Sequence, residues 1–414
     1  MMKPLILITC LSVTTLAAAN KITVHGGDSD RTDVIVRFDA PKDLRGTHLI
    51  RGDDGTATAL QVDEAGHAAF LLGKIGKGET RTYTLAPSLP VFATTGVFVA
   101  KKGSQLEVRS VPLRTTGDAD NSQIIFDYQM EAGDVPEGVL PIFKHGAHLH
   151  PVYSPSGKVV TGNHPPDHRW HRGIWMAWTD TEFEGRHPDF WNQGKGDGKD
   201  KSGGKLLAEV RFDALAKMWA GPVHGGFVSK HRFIDHNSGA AKDVLDETWE
   251  VTAYAITTGA KPVFVIDFIS TQICAGASPL KLPKYHYGGL GVRGNALWDP
   301  VEKVTMLTSN GDDRVKGDST KGKWVHIGGE VDGGPSGMAV LIHPDNFRFP
   351  QPLRLNPKNP QLCIAPSQDG DWSIEPGKPY VSKYRFIVCD GVTDAAMLEA
   401  AWKNYAEPLK VTVE

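Results

Sequence analysis

Between Asp167 and Trp191 the chain reads DHRWHRGIWMAWTDTEFEGRHPDFW, bringing three histidines, three arginines and four of its ten tryptophans into one short segment. Unpaired charge is too costly to bury in a core strand, and four exposed indoles would make an adhesive surface. A pocket accommodates both, with aromatic walls and titratable groups converging on a ligand. His168 and His171 stand three apart, with Arg169 and Trp170 between them and Arg172 after. An HxxH pair can ligate a metal, but the zinc-protease form needs a helix and a Glu beside the first His. Here Pro165, Pro166 and Gly173 break helices, and the two Arg would repel a cation. Acid–base chemistry or substrate hydrogen bonding is the expectation, because imidazole titrates near neutrality and guanidinium forks onto oxyanions.

Indoles beside His, Arg and Asp tips suit sugar rings, which offer apolar C–H faces and a rim of hydroxyls. Trp175 and Trp178 alternate along GIWMAW, so one is expected in the core and another indole as a stacking platform, unless a bulge intervenes. Trp191 is a further platform candidate. His148 and His150 share a strand face after His145, and at least one of these reads as structural. Asp189, an anion beside Arg and His, reads as a base or an orienting partner. The run YHYGGLGVR joins His286, Tyr287 and Arg293 around glycines that no helix follows, which suits close backbone approach and not a dinucleotide fingerprint. HPDNFR adds His343 and Arg348, and PSQ adds Gln368, each after a strand-like run. Ser367 lacks the nucleophile-elbow context. The expected catalytic set is therefore His168, His171, Arg172, His286 and Arg293. The expected substrate-binding set is His148, Trp175, Asp189, Trp191, Tyr287, His343, Arg348 and Gln368. No residue is assigned as a metal ligand and no cofactor is called for, with a divalent metal left open.

These residues need a scaffold, and the pattern around them is period two. Runs such as LLAEVRFDAL, GFVSKHRFID, DETWEVTAYAI and GMAVLIHP, parted by turns such as His236–Gly239, predict a large antiparallel β-sandwich over 106–414. Only Asp394 to Tyr405 has helical spacing. Short alternating runs over 20–98 predict a small immunoglobulin-like β-sandwich, with the boundary in LPVFATTGVFVAKKGSQ. Lys3, an apolar run from Leu5 to Leu16, and Ala17-Ala18-Ala19 read as a signal peptide over 1–19, hence a periplasmic or secreted protein. The apolar run is too short to span a bilayer, and no later segment is apolar enough to try. A formal net charge of -3 gives no field for nucleic acid. Cys274, Cys363 and Cys389 follow the leader, an odd count that allows at most one bridge. NQGKGDGKDKSGGK, from Asn192 to Lys205, reads as a flexible surface loop or as a lid over the pocket. Nothing in the chain specifies an oligomeric state.

HLHPVYSPSGKVVT, HRWHRGIWMAW…DFW, YGGLGVRG, HPDNFRFPQPLRL and APSQDGDWSIEPGKPYVSKYRFIVCDG resemble, in order, the motifs of the bacterial family labelled "methane oxygenase PmoA". The resemblance runs from about Leu106 to the end. Arg169-Trp170 stands where that family has Pro-His, while the outer His and the Arg-Gly are kept. The Pro-Gly-Lys turn leading into KYRFIVCDG is similar to the closing strands of galactose-mutarotase-like supersandwich proteins, a fold of epimerases, lyases and glycoside-processing enzymes. The resemblance thus implies an exported carbohydrate-active enzyme, whether glycoside hydrolase, lyase or epimerase. The alternative is a non-catalytic carbohydrate-binding protein, and a third reading is a metal-dependent oxygenase, as the family's label says. A membrane copper oxygenase would need spanning helices.

Overall fold

The structure is a computed structural model that describes residues 21–86, 96–111, 122–193, 205–256, 261–392 and 394–414. The expected signal peptide and nearly all of the expected lid lie outside these residues. The chain is all-β. A nine-stranded and an eight-stranded sheet, each paired antiparallel throughout, face each other across one core. From the nine-stranded sheet come Phe126, Leu149, Ile174, Met176, Leu290 and Val292; from the eight-stranded sheet come Trp249, Val251, Ile266, Phe268, Val340 and Phe386. The period-two pattern produces this, since alternate residues of Ile174–Ala177 and Gly289–Arg293 enter the core and the others face away.

The eight-stranded sheet is buried on its other face too. Tyr254, Val265, Leu341 and Ile387 pack there against Ile35 and Ala69 of the N-terminal unit and Leu398 of the C-terminal helix. Where both faces are covered the alternation gives way to short apolar runs, such as VFVI in Val263–Cys274 and MAVLI in Gly334–Ile342. The helix spans Ala395–Ala406, where the spacing predicts it, and Asp394 caps it by accepting from the Ala396 and Met397 N–H groups.

The N-terminal strands pair into one seven-stranded sheet whose inner face closes over Ile22, Val34, Ile50, Phe70 and Tyr83. Its last member is the C-terminal strand Lys410–Val413, which pairs antiparallel with Lys21–His25. The expected domain bounds shift accordingly. Strand Gly96–Lys102 straddles the expected boundary at 98, and it pairs with Gln105–Val111 at the edge of the nine-stranded sheet. Sequence pattern marks strands but not their partners, which is why neither assignment could be read locally. Among the described residues no helix is long and apolar enough to cross a membrane, and Cys274, Cys363 and Cys389 are all unbridged.

Candidate functional site

The candidate site lies on the outward face of the nine-stranded sheet. Four consecutive strands of that sheet, Gln361–Ile364, Gly289–Arg293, Ile174–Ala177 and His148–Val152, lie side by side. Loops at their ends converge on a cavity of about 210 Å³. Trp170, Trp191, Tyr285 and Tyr287 give it aromatic walls. His168, His171 and His286 supply imidazoles, and Asn192, Arg354, Asn356 and Gln361 supply polar edges. The volume is below the roughly 300–1,000 Å³ of drug-sized sites and suits a ligand of about one ring.

Two glycines make this arrangement possible. A Cβ on Gly173, which has φ +41°, would lie 2.0 Å from the Leu149 carbonyl oxygen, so the loop bearing His171 could not enter its strand. A Cβ on Gly291 would lie 2.6 Å from Trp191 and 2.7 Å from Trp175, so the strand under the indoles must be bare.

The imidazoles of His168 and His171 stack with centroids 4.5 Å apart, yet their surroundings differ. His168 is partly exposed, and its Nδ1 lies 2.8 Å from Asp167 Oδ2. The Nδ1–H therefore donates to the carboxylate, and Nε2 keeps its lone pair, a tautomer assigned from partners. Asp167 also accepts from Asn359 Nδ2 at 2.7 Å and from both Arg293 Nη atoms, at 3.0 and 3.3 Å. Burial pushes the Asp167 pKa up, but the His168 hydrogen bond and the Arg293 charge outweigh it and hold the carboxyl well below its ordinary value. His171 is buried, with Nδ1 3.4 Å from Arg293 Nη1. A guanidinium only donates, so Nδ1 accepts and Nε2 carries the proton. Burial first, then the His168 and Arg293 charges, hold this imidazole well below its ordinary pKa. It is a neutral hydrogen-bond donor, whereas His168, with its Nδ1–H on the Asp167 carboxylate, presents an Nε2 lone pair.

Of the expected catalytic residues, His168, His171 and His286 line the cavity. Arg293 is fully buried and engaged with Asp167 and Asp299. It positions the dyad and does not present a free fork. Arg172 is also fully buried and lies outside the cavity lining. Of the expected substrate-binding residues, Trp191 and Tyr287 line the cavity, with rings 5.6 Å apart. Trp175 is core beneath it, its ring tilted against Trp191 with centroids 4.6 Å apart, and Trp178 is core as well, its indole N–H donated to Gln272. Neither is a platform; the strand ends at Ala177, so the alternation expected to separate them stops before Trp178.

Asp189 is not a base facing a ligand. It accepts from the Trp191 and Asn192 N–H groups and from Asn192 Nδ2, at 3.1, 2.8 and 2.7 Å, and so shapes the turn that carries both wall residues. Burial pushes it up to about 8, against those three donors. His148 is buried behind the cavity beside His145. Gln368 holds the His286 carbonyl at 2.9 Å, so it positions the Tyr285–Tyr287 segment from outside. Arg348 is a clasp, donating to the carbonyls of Pro366, Gly370 and Asp371 at 2.6, 2.9 and 3.2 Å. His343 is elsewhere, with its ring 5.0 Å from Tyr405 of the C-terminal helix. The single pocket expected from the sequence thus keeps His168, His171, His286, Trp191 and Tyr287 in its lining and loses Arg172, Arg293, His148, Trp175, Asp189, His343, Arg348 and Gln368.

Sequence reasoning passed over Asp167, although it adjoins His168, and passed over Asn356, Asn359 and Gln361 entirely. Asn356 and Asn359 sit in the turn between Gln351–Leu355 and Gln361–Ile364, and Gln361 opens the second of these strands, where isolated amides carry no signal. Among the described residues no group of three or more His, Cys, Asp or Glu is arranged to hold a metal ion.

Among solved structures, the chain is similar to an alpha-mannosidase from Enterococcus faecalis V583, at 9% identity and TM-score 0.39 over 96% of this chain and 46% of that one. It is also similar to a protein in the Glycosyl Hydrolase Family 38 from Enterococcus faecalis, at 9% identity and TM-score 0.36 over 96% and 47%. The chain therefore spans about half the length of either. No curated protein matches it. A family model does match residues 118–403, and the chain belongs to that family, the Family of unknown function (DUF6807).

Proposed function

We propose that this chain is an exported bacterial carbohydrate-active enzyme in which the aromatic cavity seats a sugar ring and His168 moves the proton. One observation carries the reading: a partly exposed imidazole, its Nδ1–H held by a carboxylate 2.8 Å away, faces an aromatic-walled cavity. Asp167 fixes the tautomer and stabilises the imidazolium, His171 donates through Nε2–H, and Trp191 with Tyr287 supplies the flat walls that sugar C–H faces favour. The resemblance of the closing strands to galactose-mutarotase-like proteins agrees with it.

Within that class the lining favours a lyase or an epimerase. Glycoside hydrolysis commonly uses two carboxylates flanking the bond, and the cavity lining among the described residues contains no Asp or Glu. An imidazole base with the Arg354 guanidinium, which Asp318 holds at 2.6 Å, in the same lining suits proton abstraction beside a carbonyl. Incubation with plant, algal and host glycans, read by mass spectrometry in deuterated water, tests this. An unsaturated product identifies a lyase, and unchanged mass apart from deuterium uptake identifies an epimerase. Addition of water would contradict the preference. Unaltered glycan with an affinity that Trp191→Ala abolishes would replace the enzyme by a binding protein.

A further inference from the structure

Behind the cavity wall lies a second cluster that this chemistry does not use. Two pairs of consecutive residues straddle the wall. His171 and Asn192 line the cavity, whereas their successors Arg172 and Gln193 are buried outside its lining, Gln193 against His145. His145 Nδ1 lies 3.2 Å from Gln193 Oε1, and His148 Nδ1 lies 3.2 Å from the Gly146 carbonyl oxygen. Both contacts require Nδ1–H, which leaves each Nε2 with a lone pair. Among the described residues neither Nε2 has a partner, nor do Nε, Nη1 and Nη2 of Arg172, Nε2 of Gln193 or the Trp175 indole N–H. The His145 and His148 rings are 5.4 Å apart.

A buried charge is costly unless something pairs with it. The carboxylates that act on Arg172 at longer range, Glu209 and Glu247, are engaged elsewhere. Glu247 accepts from Ser270, Gln272 and His231, and Glu209 holds His236. The Arg172 charge bears on His145 and His148, and His145 holds Gln193; an unpaired guanidinium and an unpaired amide N–H in one buried cluster indicate a missing acceptor.

We infer that Arg172, with Gln193, His145 and His148, is the receiving site for the carboxylate of a ligand. The planar guanidinium fork matches a carboxylate in two parallel hydrogen bonds. The Gln193 amide adds a donor, and the two imidazole Nε2 atoms accept from hydroxyls beside the anion. A carboxylate flanked by hydroxyls is an acidic sugar. That last step rests on the carbohydrate reading of the adjoining cavity, whereas the carboxylate site does not.

The test is calorimetric titration of the full chain with glucuronate, glucose and glucose 6-sulfate, for the wild type, Arg172→Met and Arg172→Lys. Wild type should bind glucuronate at least tenfold more tightly than either other sugar. Both variants should lose at least tenfold, Lys because it keeps the charge but not the fork. Arg172→Met should melt no lower than wild type, because it removes an unpaired buried charge. Equal affinity for glucuronate and glucose, binding of the sulfate as tight as glucuronate, or a folded variant with undiminished binding would each overturn the inference. Failure of Arg172→Met to fold would show a structural cation and overturn it too, while Arg172→Lys and the wild-type titration still read the ligand directly. Arg172-dependent glucuronate binding by a protein that turns over no glycan would remove the enzyme reading and leave this site standing.

Discussion

His168 and His171 stack face to face in unlike surroundings. A carboxylate orients His168, and burial with a guanidinium keeps His171 neutral. Asp167→Asn should therefore cost nearly as much as His168→Ala, on the order of 10²–10⁴ in kcat. His171→Gln, which keeps a donor, should raise KM more than it lowers kcat. Steady-state kinetics on a glycan that the wild type converts separates the two, and a His171→Gln loss equal to that of His168→Ala would reverse the assignment. Gly291→Ala places a methyl against Trp175 and Trp191, within 2.7 Å of each. Overpacking of this kind costs about 1–3 kcal/mol, which urea denaturation should show together with a weakened ligand affinity. Residue type alone announced the cluster but not the roles. Arg348 and Arg293 look equally functional in the sequence, and only the partners distinguish a clasp on three carbonyls from a residue that holds the dyad.

At the scale of elements, period-two alternation told which side of each strand is apolar but not what covers it. Ile174, Met176, Leu290 and Val292 were readable as one face, while the loops that close over the opposite face are set by pairings between distant strands. His343 shows the limit, because it follows a strand as site residues often do, yet that strand belongs to the eight-stranded sheet on the other side of the core. The union of the N-terminal sheet with the sandwich was equally hidden. It runs through Asp267, which accepts from Arg385 at 2.6 and 2.9 Å and from Arg37 of the small sheet. Asp267→Ala strands the buried Arg385 charge, and losing one partner of a buried pair costs about 3–5 kcal/mol. Equilibrium unfolding should show that loss with kcat unchanged, since the ion pair lies on the far face of the eight-stranded sheet. A loss below about 1 kcal/mol would mean that solvent already screens it.

For the whole molecule, buried imidazoles set the response to acid. Burial lowers His150 and His224 to about 4 and His326 to about 3, and holds His145, His148 and His171 well below the ordinary 6.5. Below pH 6.5 the unfolded chain binds protons that the folded chain refuses. Their contribution is full above that pH and is lost as pH falls toward 4 and 3, at about 1.4 kcal/mol per unit for each group. Asp189, raised to about 8, Asp127, raised to about 6, and Asp299, raised by burial, work the other way, but they are three groups against six. The melting temperature should fall steeply between pH 6.5 and 4, with several protons taken up on unfolding; a flat profile would show that these rings are hydrated.

The proposed activity depends on the imidazole held by Asp167. The most direct measurement is the kcat ratio of wild type to His168→Ala on the glycan that wild type converts, with ligand affinity measured alongside. The account predicts a fall of at least about 100-fold with affinity kept within a few-fold. Full turnover by His168→Ala would contradict it.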